Sequence, residues 1–143
     1  MSLPLAQMLE LAAQARSRAY APYSKFLVGA CVRSGSGAFF TGCNCENASY
    51  PLGICAETAA LAAMVQAGER EVQDILVLGS GQGAASALVT PCGGCRQRIL
   101  EFGHEGTRIH AAAFDEAGRL TVQRSFTLGE LLPFAFGLEE PRA

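Results

Sequence analysis

A chain of 143 residues with 17% charged side chains and a formal net charge of −2 suits one domain with one good core, and it lacks the clustered basic face with which proteins grip a polyanion. No apolar run approaches the length of a bilayer span, and the N-terminus does not run from a basic to an apolar to a small-residue zone; we therefore expect a cytoplasmic protein with neither membrane nor nucleic acid as partner. Half of the residues are hydrophobic, more than a small core hides, so self-association is expected, and the six cysteines read as reduced thiols rather than a disulfide framework.

In chain order, Leu5, Met8, Leu9, Ala12, Ala15 and Ala19 recur at helical spacing behind Ser2 and Pro4, which predicts an amphipathic helix from about Leu3 to Ala19. Tyr20 to Ser24 breaks it. Phe26 to Val32 is a continuous apolar run suited to a buried strand, Ser34 to Gly37 is a turn, and Ala38 to Cys43 returns as the second strand of a hairpin. Asn44 to Gly53 is a small and polar loop. From Cys55 to about Ala67 the chain is apolar nearly all round, which predicts a helix buried on every side.

Ile75 to Leu78 reads as a short buried strand. Gly79-Ser80-Gly81-Gln82-Gly83 has the look of a dinucleotide loop, but no helix begins after it. Cys92 to about Phe102 reads as a helix, Arg108 to Phe114 as a strand, Asp115 to Gly118 as a turn into Leu120 to Val122, and Leu128 to Leu131 as a last short helix before an apolar tail. Strands alternating with helices indicate an α/β domain.

Two stretches carry chemistry: Cys55-Ala56-Glu57, and Pro91-Cys92-Gly93-Gly94-Cys95 further on. Together they supply three thiolates for a tetrahedral Zn²⁺ and leave its fourth position to water, the pattern of a catalytic zinc. A redox pair or half of a structural zinc ribbon is the blander reading, but a ribbon wants a second C-x-x-C and this chain has none. Glu57, two residues after one ligand, is then the proton carrier rather than a ligand, as in zinc-dependent base deaminases. If Cys55 and Cys92 each open a helix, the N-terminal dipole ends support the thiolates, and Arg96 is a candidate cation beside the sulfurs. The reaction this implies is hydrolytic removal of an exocyclic amine.

Ala21-Pro22-Tyr23-Ser24-Lys25-Phe26, Gly42-Cys43-Asn44-Cys45-Glu46-Asn47-Ala48-Ser49-Tyr50, Cys55-Ala56-Glu57, Pro91 to Gln97 and Glu130-Leu131-Leu132-Pro133 together closely resemble the small homotetrameric cytidine deaminases, from about Ala15 to Gly137. The resemblance implies a single domain over residues 1–143, folded as a three-layer α/β/α sandwich around a mixed sheet of about five strands. It further implies one zinc per chain, held by Cys55, Cys92 and Cys95, and conversion of cytidine and deoxycytidine to the uridines with release of ammonia in pyrimidine salvage. By the same resemblance Asn44 and Glu46 bind the ribose 3′-hydroxyl, Phe26 packs on the pyrimidine, and the Ala56 backbone N–H meets the base carbonyl. Tyr50 and Phe136 reach a neighbouring subunit's pocket.

Composition alone reads several of these residues more plainly. Phe26 would be core, Asn44 and Glu46 a solvated loop, and Phe136 tail packing. His110 would be a satisfied core histidine, His104 a surface residue, Cys43 and Cys45 loop or packing thiols, and Cys31 buried. The chain also departs from the family at Thr58, where relatives with three cysteine ligands commonly carry Arg; this keeps an aminonucleoside such as blasticidin S open as substrate. A non-catalytic zinc-stabilised module on the same fold is the remaining alternative, for which a carboxylate at position 57 has no use.

Overall fold

A computed structural model describes residues 1–80 and 88–138. The first helix, α1 (Leu3–Arg16), is capped by the Ser2 side chain, which accepts from Leu5 N, and it buries Met8, Leu9 and Ala12. It ends at Arg16, short of the expected Ala19, where the Ser17 hydroxyl donates to Gln14 O and competes with the helical ladder. Strands β1 (Leu27–Ser34) and β2 (Phe39–Cys43) form the expected hairpin, turning at Gly37 with φ of 89°. Next come a short 3₁₀ turn (Tyr50–Leu52), α2 (Ala56–Gln66), β3 (Val72–Ser80), α3 (Gly93–Phe102), β4 (Arg108–Phe114), β5 (Leu120–Thr127) and α4 (Leu128–Leu131). Of the glycine-rich stretch, Gly79 and Ser80 end β3, and Gly81 to Gly83 lie outside the described residues.

The five strands form one mixed sheet in the order β2-β1-β3-β4-β5. Only β3 and β4 pair in parallel, and such a pair needs a crossover, which contains α3. Strand alternation splits the core into two. Ala30, Val32, Ile75 and Ile109 face α2 and α3, packing on Ala56, Ala60, Leu61, Met64 and Ile99. Cys31, Leu76, Leu78 and Ala112 face α1 and its Met8, Leu9 and Ala12. The three-layer α/β/α sandwich is therefore present.

Both helix layers lie close on the sheet because glycines leave room for their backbones. A Cβ at Gly29 would sit 2.0 Å from Ala12 O of α1, and one at Gly42 would sit 2.5 Å from both Ala56 O and Ala60 N of α2. Two strands outrun their apolar signals. β3 extends from the expected Ile75–Leu78 to nine residues, and β5 continues through Gln123, Arg124 and Ser125, because an edge strand keeps its ladder to β4 while showing polar side chains to water. The expectation for α2 is corrected in part. Within one chain it buries Ala56, Glu57, Ala60, Leu61 and Met64, while Ala62 and Gln66 are exposed, since one sheet covers only one face of a helix.

A polar row crosses the sheet on the face that carries Leu76. Arg33 Nε donates to Asp74 Oδ1 at 2.7 Å, His110 Nε2 donates to Asp74 Oδ2 at 3.0 Å, and Ser125 Oγ lies 2.6 Å from His110 Nδ1. His110 is thus the satisfied, buried histidine its strand suggested, and His104 is exposed. Burial opposes the charge of Asp74, but the His110 and Arg33 hydrogen bonds and the Arg33 charge outweigh it and hold the carboxyl below the usual range.

Candidate metal centre

The loop before α2 is stitched to the rest of the chain. Cys45 and Ile54 exchange both backbone hydrogen bonds, Tyr20 N donates to Asn44 O, and Glu46 N donates to Tyr20 O. Ile54 then hands the chain to Cys55, which is the N-cap residue of α2, just as Cys92 is the N-cap residue of α3. Neither cysteine spends its side chain on capping. Cys95 lies three residues into α3, on the same face as Cys92.

The Sγ atoms of Cys55 and Cys92 are 3.9 Å apart, and all three sulfurs of Cys55, Cys92 and Cys95 lie within 4.8 Å of one another. Bonds of ~2.3 Å at tetrahedral angles would separate the sulfurs by about 3.8 Å, so the donor set fits zinc in spacing as well as in chemistry. Among the described residues no other group of three His, Cys, Asp or Glu side chains is gathered this way. The thiols also shift one another: a hydrogen bond from Cys95 pulls Cys55 below the usual thiol range, while that pairing, followed by burial, pushes Cys95 up. Cys55 and Cys92 thus stand at the N-termini of two helices, whose dipoles favour negative charge there.

Glu57, in the first turn of α2, is 4% exposed, and burial raises its carboxyl above the usual range. It borders a cavity of about 300 Å³ that Cys55 and Cys92 also line. Phe26, Val28, Val77, Val89 and Ala56 contribute apolar side chains to the lining, and Asn44 and Glu46 polar ones. Phe26 is accordingly not core. It stands half-buried at the cavity, one residue before β1 begins.

Asn44 and Glu46 are not a free solvated loop either. Asn44 Oδ1 accepts from Val28 N at 2.8 Å and its Nδ2 donates to Phe26 O at 2.8 Å, which leaves one N–H and one lone pair unused. The Glu46 carboxylate accepts from Tyr23 N, Ser24 N and Ser24 Oγ, and the Ser24 bonds foremost hold it below the usual range. Tyr50 stands 75% exposed at the rim, edge-on to Tyr23 with ring centroids 5.8 Å apart. Phe136 is the residue that the chain does not bring to its own cavity. It is 72% exposed on the tail, where Gln97 Nε2 donates to its carbonyl.

The placement of Arg96 beside the sulfurs is corrected. Its guanidinium donates to Pro91 O at 2.8 Å, Leu131 O at 2.7 Å and Thr90 Oγ1 at 3.0 Å, so it ties the arm that delivers Cys92 to α4. The carbonyl oxygens of Pro91 and of Leu131 in α4 are stronger acceptors for these N–H groups than a thiol sulfur. The side chain that does reach a ligand sulfur is Thr58, whose Oγ1 is 3.6 Å from Cys95 Sγ. Sequence reasoning also missed Val28, Val77 and Val89 as cavity residues, since nothing in an apolar run says which members face a ligand.

A family model described as the cytidine and deoxycytidylate deaminase zinc-binding region matches residues 4–111. Cytidine deaminase of Mycobacterium tuberculosis is 41% identical over 129 residues, covering 90% of this chain and 86% of its own. That of Halalkalibacterium halodurans is 38% identical over 134 residues, covering 93% and 94%. The crystal structure of cytidine deaminase from Burkholderia pseudomallei superposes with a TM-score of 0.79 at 39% identity, over 95% of this chain and all of that one.

Proposed function

The chain belongs to the cytidine and deoxycytidylate deaminase family, and from that premise we propose that it hydrolyses cytidine and deoxycytidine to uridine and deoxyuridine with release of ammonia. The observation that carries this reading is a buried carboxylate, Glu57, on the same helical turn as Cys55 and open to the cavity that Cys92 borders. Zinc held by Cys55, Cys92 and Cys95 would supply a Lewis acid and acidify the water at its fourth position.

Glu57 accepts a proton from the attacking water and delivers it to the ring nitrogen beside the amino-bearing carbon, as the new C–O bond makes that carbon tetrahedral. The second proton of the same water passes through Glu57 to the amine. The C–N bond then breaks with its electron pair on nitrogen, ammonia leaves, and the carbonyl of the uracil ring forms. One carboxylate serves both transfers, and its burial suits the work, because a raised affinity for protons makes it a better base near neutral pH.

Phe26 lies along the pyrimidine in this reading, the Ala56 N–H, unpaired in the first turn of α2, meets the base carbonyl, and Asn44 and Glu46 meet the ribose with their remaining hydrogen-bonding capacity. The active form is a homotetramer in which Tyr50 and Phe136 reach a neighbour's cavity. Supporting this are the exposed aromatic rings of Tyr50, Phe134 and Phe136 and the uncovered face of α2. The setting is cytoplasmic pyrimidine salvage; among the described residues no helix is long and apolar enough to cross a membrane.

The test is ammonia release from a panel of cytidine, deoxycytidine, cytosine, adenosine and blasticidin S. Turnover of the first two is expected. Release from blasticidin S alone would reassign the substrate, and no release from any would leave the non-catalytic module as the reading.

A further inference from the structure

We propose that Gly79 is a positioning residue that sets the width of the substrate cavity through Phe26 and Val89; the inference rests on the deaminase reading above. Gly79 is buried in β3, directly opposite Val28 of β1, and lies on the same sheet face as Val77. Its φ is outside the left-handed region, so the backbone does not demand glycine there. A glycine inside a strand weakens it, and its presence calls for a spatial reason.

The neighbours supply that reason. A Cβ on Gly79 would lie 3.1 Å from Phe26 Cε1, 3.2 Å from Phe26 Cζ and 3.0 Å from Val89 Cγ1. Non-bonded carbons rest about 3.5–4.0 Å apart, so the edge of the ring and the valine methyl both lean on bare strand. Phe26 enters from the residue before β1, and Val89 from the arm that continues to Cys92. Both line the cavity, as do Val28 and Val77 beside them. With a methyl group at position 79, ring and valine would have to move by a few tenths of an ångström, away from the strand and toward the cavity that both line.

Gly79 differs here from Gly29 and Gly42. A Cβ at those two meets backbone atoms of α1 and α2, which cannot yield without moving a helix, whereas among the described residues the three atoms nearest a Cβ at Gly79 all belong to the side chains of Phe26 and Val89. The fold can therefore absorb alanine at position 79, and the cost falls on substrate binding.

The experiment compares wild type, Gly79→Ala and the double variant Gly79→Ala/Val89→Ala by steady-state kinetics on cytidine, zinc content and Tm. Gly79→Ala is expected to keep its zinc and its Tm, and to raise KM roughly tenfold with kcat within about threefold. Removing the Val89 methyl relieves one of the two crowded contacts, so KM of the double variant should fall below that of Gly79→Ala, with Val89→Ala alone as the control for the altered wall. A wild type that releases no ammonia from cytidine would sink the deaminase reading itself. With an active wild type, three results would overturn the role of Gly79 alone: KM within about twofold of wild type, a raised KM that Val89→Ala leaves uncorrected, or a variant that loses fold, Tm or zinc together with binding.

Discussion

The hydroxyl oxygen of Thr58 lies 3.6 Å from Cys95 Sγ, one residue beyond the carboxylate assigned to proton transfer. A thiolate can only accept, so toward a metal-bound Cys95 this hydroxyl is a donor that draws negative charge from the sulfur. Where an arginine would add a positive charge, Thr58 supplies a hydrogen bond without one. Partners of metal ligands typically matter about 10–100-fold for metal affinity. Thr58→Ala is therefore expected to release zinc to a chelator at roughly tenfold lower chelator concentration, and Thr58→Ser to restore retention. Equal retention in all three proteins would deny the contact a role.

Glu57→Gln keeps the size and hydrogen-bonding reach of the side chain but cannot take up a proton. Zinc content should stay near one per chain while ammonia release falls by at least ~10³-fold, since two proton transfers depend on the one group. Near-normal turnover would refute the assignment of Glu57.

Gly42 touches the metal centre through packing. With a Cβ there only 2.5 Å from Ala56 O and Ala60 N, Gly42→Ala must push the first turns of α2 off the sheet. A loss of about 3 kcal/mol is expected, with zinc and Tm falling together. Stability lost with zinc affinity intact would show that α2 moves as a whole without disturbing Cys55.

Asp74 predicts a pH dependence of stability. Its folded pKa is depressed, because the hydrogen bonds from His110 and Arg33 outweigh the penalty of burial. The stability it confers is then fully present above the unfolded value of about 3.9 and is lost as pH falls through the lower folded value. Asp74→Asn should lower Tm at neutral pH, by about 3 kcal/mol of stability if the pair behaves like other buried ones, and should flatten the acid limb below about pH 4. Parallel Tm curves for the two proteins would assign acid sensitivity to other groups.

Phe136 is 72% exposed in the single chain, and its backbone is held by Gln97. In the proposed tetramer this ring is buried in a neighbour's cavity. Sedimentation should show a tetramer at micromolar concentration, and Phe136→Ala should raise KM while zinc content stays intact. A fully active monomer would contradict both expectations.

The sequence by itself determined the chemistry of the centre and the order of the elements. Cys55, Glu57, Cys92 and Cys95 were legible because thiols and a carboxylate at fixed offsets near helix starts have few other uses, and the helices and strands because apolar spacing along ten or so residues reports local periodicity. Tertiary structure decided which way individual side chains face. Arg96 turned to the oxygens of Thr90, Pro91 and Leu131, and Thr58 met a sulfur 37 positions away. Phe26 left the core for the cavity wall, and its ring came close against Gly79 of β3. Residue type and spacing describe a side chain's own element, while these contacts join elements far apart in the chain and exist only once the sheet has brought β1, β3 and the two cysteine-bearing helices together.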